Sequence, residues 1–556
     1  MEEKFDSLVM SDWPPADGPP LRRLSVGEAL RDAVRVAPDV TALVEGAADP
    51  AARRRWTYRE LLAEAERTAA ALLGRFSPGE RVAIWANNLP EWVLLEYGAA
   101  LAGITVVTVN PALRGGELRH VLANSGAQGL FMLPGYRGTD MRATLAGIRA
   151  ELPRLREVVL LTDWDEFLSS GKPGTGLPGA GPDDPAQIQH TSGTTGTPKG
   201  AVLRHAGITD NAALYAQRAG LPPGGVEVNP MPLFHTAGCV MSVLGTLSVR
   251  GTLVLPPAFD PALQLRLLDE ERGTSMIGVP TMLIAMLDAA EFRSADLSSL
   301  RRVGSGGAVV PAELVRRVER ETPALVSIVF AQTESSPVIT QTSPHDSADD
   351  RAETLGRPLP HTAVRIVNPK TGQTLPVGET GELLTRGYAV MLGYNDDPAA
   401  TAAAIDSDGW LHTGDLAKMV GRGYFRIDGR LKEMIIRGGE NIYPREIEAV
   451  LFSHPDVADA AVVGIPDERW GEQVAAFVRP AAGRTPDPAA LFAYVRARLA
   501  PFKTPRFWAV VDQFPLTGSG KIQKFLLQSE FADQLRPVPQ DTAASARTSP
   551  QEQSVE

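Results

Sequence analysis

His190-Thr191-Ser192-Gly193-Thr194-Thr195-Gly196-Thr197-Pro198-Lys199-Gly200 interrupts a long alternation of short apolar strands and helices, and the chain is organised around it. The run holds three glycines, five hydroxyls, one proline and one lysine. Glycine permits backbone conformations closed to other residues and lets the main chain approach a ligand closely. Hydroxyls and concave rows of backbone N–H groups both donate to phosphate oxygens, and Lys199 adds a positive point charge. A flexible Gly/Ser linker is the plain alternative, but here Ser and Thr alternate densely with Gly and a lysine closes the run. A Walker A loop requires Gly-Lys-Ser/Thr after a four-residue gap. Pro198 precedes Lys199 and Gly200 follows it, so the run points to a nucleotide triphosphate held outside the P-loop class.

Upstream of this run, Thr57 and Glu60 form a capping box before Leu61, Leu62, Ala65, Ala69, Leu72 and Leu73, which recur at helical spacing. Arg81-Val82-Ala83-Ile84-Trp85 reads as a strand, followed by a helix at 91–101, a strand at 104–109, a helix at 117–123 and a strand at 129–133. Residues 169–185 are a Gly/Pro-rich loop. Downstream come a strand at 275–279, a helix at 281–287, a helix at 311–321 with proline in its first turn, and a strand at 325–330. Such alternation predicts parallel α/β architecture. The pattern changes near Asp428-Gly429-Arg430. Helices at 444–452 and 488–499 and strands at 460–465, 473–478 and 507–511 then predict a separate α+β domain. Residues 1–25 are Pro-rich and read as an irregular lead-in, and residues 533–556 as a polar, disordered tail.

At 556 residues the chain exceeds one ordinary core, so two or more domains are expected. A net charge of -11 argues against bulk nucleic-acid binding, which needs basic surface. Cys239 is the sole cysteine, so no internal disulfide forms and a reducing cytoplasm fits. The N-terminus lacks a signal pattern, no apolar run reaches spanning length, and the eight histidines show no ligand-spaced cluster. A cytoplasmic protein without a membrane span is expected.

Further stretches carry chemistry. Gly304-Ser305-Gly306-Gly307-Ala308 makes a glycine turn between a strand and a helix, a usual ligand position in α/β sheets. Phe330-Ala331-Gln332-Thr333-Glu334 ends another strand with an aromatic, a hydroxyl and a carboxylate suited to a hard cation. Gly409-Trp410-Leu411-His412-Thr413-Gly414-Asp415 places an aspartate after a tight turn. Alone, each is more often an ordinary turn than a functional site. Together, and in this order, they resemble the adenylate-forming superfamily of acyl-CoA synthetases, peptide-synthetase adenylation domains and firefly-type luciferases. The resemblance spans about residues 25–530 and includes Gly429-Arg430-Leu431-Lys432-Glu433 and Pro515-Leu516-Thr517-Gly518-Ser519-Gly520-Lys521. Ala331 stands where the family motif has glycine.

The resemblance implies an α/β fold with a large N-terminal domain over 26–430, formed by parallel sheets with flanking helices plus a small β-barrel. A hinge at 431–432 and a small mobile α+β domain over 433–532 follow. It implies two half-reactions. A carboxylate attacks the α-phosphorus of ATP to give acyl-AMP and pyrophosphate, and the acyl group then passes to the thiol of CoA. By the same resemblance, ATP and AMP contact Thr191, Ser192, Gly193, Thr194, Thr195, Gly196, Lys199, Gly306, Gly307, Ala308, Phe330, Ala331, Gln332, Thr333, Asp415, Ile427 and Arg430. Glu334 holds Mg²⁺, Lys521 is the catalytic lysine and Lys432 the pivot. Gly438, Gly439 and Glu440 line a pantetheine channel for CoA. His235 gates an acyl pocket walled by Val279, Pro280, Met282, Gly304 and Gly306, with Thr281 nearby. The motif positions offer no aspartate for an α-amino group, which leans the reading away from amino acids. The substrate expected is an apolar acid, a medium-chain fatty acid first and an aryl acid second. A carrier-protein thiol or an amine is the alternative acceptor, and a homodimer is left open. A non-catalytic adenylate-binding homologue is a further alternative, against which Lys521, Glu334 and Asp415 argue.

Overall fold

The computed structural model describes residues 8–172, 176–191, 198–438, 440–515 and 522–538. The chain forms two compact units, the first running to Ile427 and the second beginning at Asp428. The division falls just ahead of the 431–432 segment expected to be the hinge.

The first unit contains a seven-stranded, a nine-stranded and a five-stranded sheet. In the seven-stranded sheet, Arg81–Trp85 lies parallel between Thr105–Val109 and Gly129–Met132. Thr105–Val109 is buried along its whole length, as its continuous β-branched sequence requires of a parallel strand covered on both faces. Helix Pro90–Ala102 is buried at every position. Apart from Glu91 and Glu96, which are hydrogen-bonded by Arg54 and Gln187, it is apolar on every face, so it belongs between layers, and it contacts strands of both large sheets, Thr105–Val109 and Thr41–Glu45. Pro90 opens its first turn, and Gly103 ends it in the left-handed region at φ 69°.

The nine-stranded sheet sets the parallel strands Ser275–Gly278, Arg302–Gly306 and Leu325–Ala331 side by side, with Gly278 opposite Ser305 and Gly306 opposite Val329. Their carboxyl ends therefore finish together, the place where α/β sheets take ligands. Both large sheets are mixed rather than wholly parallel. Lys199–Arg204 runs antiparallel to Pro185–Thr191, and Val338–Gln341 runs antiparallel to Leu325–Ala331. Helix Ala312–Glu321 begins one residue later than the sequence predicts, because Pro311 takes the extended N-cap conformation instead of the first helical turn.

Where the family resemblance implies a small barrel there is a five-stranded antiparallel sheet, ordered Asp12–Trp13, Thr362–Val367, Gly381–Gly387, Leu411–Val420 and Tyr424–Arg430. It curls until Trp13, on the first strand, meets Gly423 beside the last. A Cβ at Gly423 would lie 1.8 Å from the Trp13 ring, and Gly423 has φ 72°. The lead-in is thus not wholly irregular, since Asp12 and Trp13 pair with Arg365 and Val364. Helix Val26–Val36 then starts from a capping box made by Ser25 and Glu28.

In the second unit, Gly471–Pro480 pairs antiparallel with Val457–Asp467 and parallel with Phe507–Val510. Period-2 alternation sends Val474, Ala476 and Val478 to one face, against Ile447, Leu451, Leu491 and Val495 of two helices. Ala475 and Phe477 face the other way and pack with Leu527 of helix Lys524–Glu530. The tail is ordered further than expected: Arg536–Pro537 pairs with Phe507 and Trp508. Residues 539–556, where the rest of that expectation falls, lie outside the described residues. Among the described residues no helix is long and apolar enough to cross a membrane.

Gly423→Ala drives a methyl into the Trp13 ring at a left-handed backbone position. The expected cost is about 2–4 kcal/mol, read as a lower urea midpoint; an unchanged midpoint contradicts the closure described.

Candidate active site

Thr191 pairs with Lys199 and His190 with Gly200, so the connection 192–198 springs from the end of a two-stranded ladder. Ser192, Gly193, Thr194, Thr195 and Gly196 lie outside the described residues. The base of the connection is held by helix Gly115–Ser125. His120 Nε2 donates to Pro198 O at 2.8 Å, and His190 Nε2 donates to Asn124 Oδ1 at 3.0 Å. Asn395 fixes the same corner, its side chain donating to Asn124 O at 2.6 Å and its backbone to Gly200 O at 2.7 Å. Burial first, and His120 second, lower the pKa of His190 to about 4, so its ring stays neutral and keeps one donor.

Thr191 stands beside Glu334, and Lys199 beside the tyrosine that binds it. Tyr394 Oη donates to Glu334 Oε1 at 2.8 Å, Thr191 Oγ1 donates to the same oxygen at 3.4 Å, and Lys199 Nζ lies 5.2 Å from the centre of the Tyr394 ring. Burial, then the Glu334 carboxylate, hold the Tyr394 hydroxyl well above the ordinary phenol range, so it remains a donor. Tyr394 is a site residue the sequence reading missed. It reaches Glu334 because Gly393–Tyr394 pairs with Ala201 and Val202, an adjacency no local pattern reveals.

Phe330, Ala331, Gln332 and Thr333 continue from the end of Leu325–Ala331 into the turn bearing Glu334. Gln332 Nε2 donates to Asp415 Oδ2 at 2.7 Å and to Thr413 O at 2.9 Å, which orients the buried Asp415 carboxylate. On the neighbouring strand end, Gly306 has no space for a side chain: a Cβ would sit 2.5 Å from Val329 O. Gly307 turns the chain at φ 73°, and Gly307 and Ala308 are exposed. Ile427 ends the first unit, partly buried against the core beneath this sheet.

Val279, Met231, Ala237, Met241, Ile277 and Val329 form one buried apolar cluster, with Met282, Ala331 and Tyr388 packed on it. Pro280 opens helix Pro280–Leu287 and Thr281 on it is exposed. His235 stands at the cluster's edge, two residues before Ala237, and its Nδ1 accepts from Ala237 N at 3.2 Å. Gly304 does not simply open space: a Cβ there would meet Ile277 at 3.2 Å and the Tyr215 hydroxyl at 3.3 Å.

In the second unit, Arg430, Lys432, Gly438 and Glu440 are exposed, and Lys432 lies on the short turn Leu431–Glu433. Gly439 and Lys521 lie outside the described residues. Gly438 N donates to Trp470 O at 2.8 Å, and a Cβ at Gly438 would come within 2.7 Å of the Trp470 ring. Arg437 and Arg469 stack on that ring at 4.8 and 5.0 Å. Trp470 and Arg469 also escaped the sequence reading, because they meet Arg437 and Gly438 only through the folded sheet.

Fold and site together define an α/β adenylate-forming enzyme of two units. Residues 30–395 match the family model described as AMP-binding enzyme, and residues 446–521 that of the AMP-binding enzyme C-terminal domain. The chain belongs to the AMP-binding enzyme family and is an AMP-forming ligase. It is 39% identical over 535 residues to a Bacillus subtilis (strain 168) protein provisionally named acyl-CoA synthetase YngI, covering 91% of this chain and 97% of that one. It is 36% identical over 519 residues to the mitochondrial medium-chain acyl-CoA ligase ACSF2 of Rattus norvegicus, covering 87% and 84%. The crystal structure of ATP-bound MatB from Rhodopseudomonas palustris superposes with a TM-score of 0.84 at 29% identity, over 92% of this chain and 99% of that one.

His190 gives the site a pH signature. Its folded pKa of about 4 lies below its ordinary 6.5, so the unfolded chain takes the proton first, and the stability from the neutral ring is lost as pH falls from 6.5 toward 4. Compared with His190→Gln, the wild type should lose about 1 kcal/mol of unfolding free energy per pH unit over that window. Urea titrations of both proteins between pH 7 and 5 check this; parallel pH profiles contradict it.

Proposed function

We propose that this protein is an ATP-dependent acyl-CoA ligase that activates an apolar carboxylic acid as acyl-AMP and transfers the acyl group to CoA. The observation that carries the reading is the convergence of Thr191, Lys199, Tyr394, Glu334, Gln332 and Asp415 at the ends of adjoining sheets. In this reading the 191–199 connection clasps the β- and γ-phosphates, and Asp415, oriented by Gln332, accepts hydrogen bonds from ribose hydroxyls. The substrate carboxylate attacks the α-phosphorus, pyrophosphate leaves, and Lys521 supplies positive charge to the oxygens in the transition state. Among the described residues no trio of His, Cys, Asp and Glu gathers as a metal cage. Glu334 with the Thr191 hydroxyl fits Mg²⁺, which takes one or two carboxylates plus phosphate oxygens. When bound there it would neutralise phosphate charge.

The buried cluster of Met231, Ala237, Met241, Ile277, Val279 and Val329 supports an apolar acyl chain. The name of the rat relative makes a medium-chain fatty acid the first choice, ahead of an aryl acid. CoA is favoured over a carrier protein or an amine as acceptor, because Arg437 and Arg469, stacked on Trp470 beside Gly438, offer positive charge to its phosphates. Lys432 is the proposed pivot that exchanges Lys521 for the Gly438–Glu440 stretch at the adenylate.

Lys521→Ala should lower adenylate formation by about 10²–10³-fold while sparing thioester formation from supplied acyl-AMP. Gly439→Leu should do the reverse. Pyrophosphate release and thioester formation, assayed separately, check both; equal loss of the two steps in either variant contradicts the role given to that residue.

A further inference from the structure

Helix Lys524–Glu530 begins three residues after Lys521, and its first side chain is largely covered within the second unit. Lys524 Nζ lies 2.9 Å from Glu433 Oε2 and 2.8 Å from Glu448 Oε1. The lysine side chain is 20% exposed and that of Glu448 is 9% exposed. Glu433 ends the turn Leu431–Glu433 and adjoins Lys432. Glu448 belongs to helix Pro444–Phe452, and its Oε1 also accepts from Val462 N at 2.8 Å. One ammonium thus joins three segments: the Lys432 turn, the core helix of the small unit and the helix behind the Lys521 connection. That connection is closed at its base, where Gln523 N donates to Pro515 O at 2.8 Å. Burial alone would push the Lys524 ammonium down, but Glu448 and Glu433 outweigh it and its pKa is raised, so the link stays charged. A long surface lysine needs no such pair of partners, and exposed ion pairs are worth little. An enclosed, doubly paired one transmits position, because losing a partner leaves an uncompensated charge.

We propose that Lys524 is a positioning residue: through Glu433 and Glu448 it locks the Lys432 turn to the helix that follows Lys521, so that rotation at the turn carries the catalytic lysine as one body. The inference rests on the roles given above to Lys521 and Lys432. It concerns delivery of Lys521, so it bears on adenylate formation and not on the acyl transfer that follows.

Glu433→Gln is the discriminating variant, because Lys524 keeps Glu448 as partner and the unit stays folded. Lys524→Met removes both links, and Lys524→Arg restores charge. Single-turnover adenylate formation and thioester formation from supplied acyl-AMP are measured for each, alongside Lys521→Ala. The expected result for Glu433→Gln and Lys524→Met is an adenylation kcat lowered about 10- to 100-fold with KM for ATP nearly unchanged, and thioester formation within about threefold of wild type. Lys524→Arg should recover part of the loss. If both variants leave the ratio of the two rates as in the wild type, whatever their absolute rates, the positioning role is overturned while a shifted ratio in Lys521→Ala keeps the parent reading. If Lys521→Ala itself leaves the ratio unchanged, both fall.

Discussion

Tyr394 Oη donates to Glu334 Oε1 across 2.8 Å, and the rest of the site depends on the turn this bond secures. Residues 332–334 leave the nine-stranded sheet at the end of Leu325–Ala331. Glu334 is tied by Tyr394 and Thr191 to the seven-stranded sheet. Gln332 is tied to Asp415 of the five-stranded sheet. Gln332 and Glu334 therefore tie the nine-stranded sheet to the seven-stranded and five-stranded ones where their ends meet. A hydrogen bond to a charged acceptor contributes about 1.5–3 kcal/mol, and Met391 N adds a backbone link to Glu334 O at 2.9 Å. The arrangement fixes a carboxylate, a hydroxyl and an aspartate before any ligand arrives, which is what preorganised electrostatic catalysis requires.

Much of the fold was legible because its signals are local. The capping box at Thr57 and Glu60 forms as its spacing predicts. Residues 81–85 form a strand, and helix Pro444–Phe452 matches its expected limits. What escaped the sequence is what depends on pairing between distant segments. Asp12 and Trp13 look like loop in a Pro-rich tract, yet they complete a sheet whose other strands lie beyond residue 360. Arg536–Pro537 looks like tail, yet it finds an edge strand to cover. Pro311 looks like the first helical residue, yet it stands just outside as the cap. The same distinction runs through the site. Glu334 and Asp415 announce themselves in motifs, whereas Tyr394, Trp470 and the His120–Asn124 support come into position only through the folded sheets.

The chemistry is divided between the two units in a way that follows from charge. The first unit offers the fixed groups that the proposed function assigns to a nucleotide: hydroxyls, one lysine beside Tyr394 and carboxylates oriented by amide and phenol donors. In the proposed function the charge needed only at bond-making comes from Lys521, in a connection anchored at Pro515 and Gln523. In that proposal, carrying the charge on the small unit lets the second half-reaction use the same adenylate once Lys521 is withdrawn. The Lys524 pair, in the role proposed for it, ties the Lys432 turn to the helix that follows Lys521 and so serves delivery of that lysine for adenylation.

The central claim is that the acid's own oxygen attacks the α-phosphorus of ATP. If so, when the acyl group departs for the thiol, the carbon–oxygen bond breaks and one carboxylate oxygen stays on AMP. Turnover of a medium-chain fatty acid labelled with ¹⁸O in its carboxylate, with ATP and CoA, therefore measures the claim directly by mass spectrometry of the products. The account predicts one ¹⁸O per AMP and none in pyrophosphate. Label in inorganic phosphate, with ADP as the nucleotide product, would contradict it.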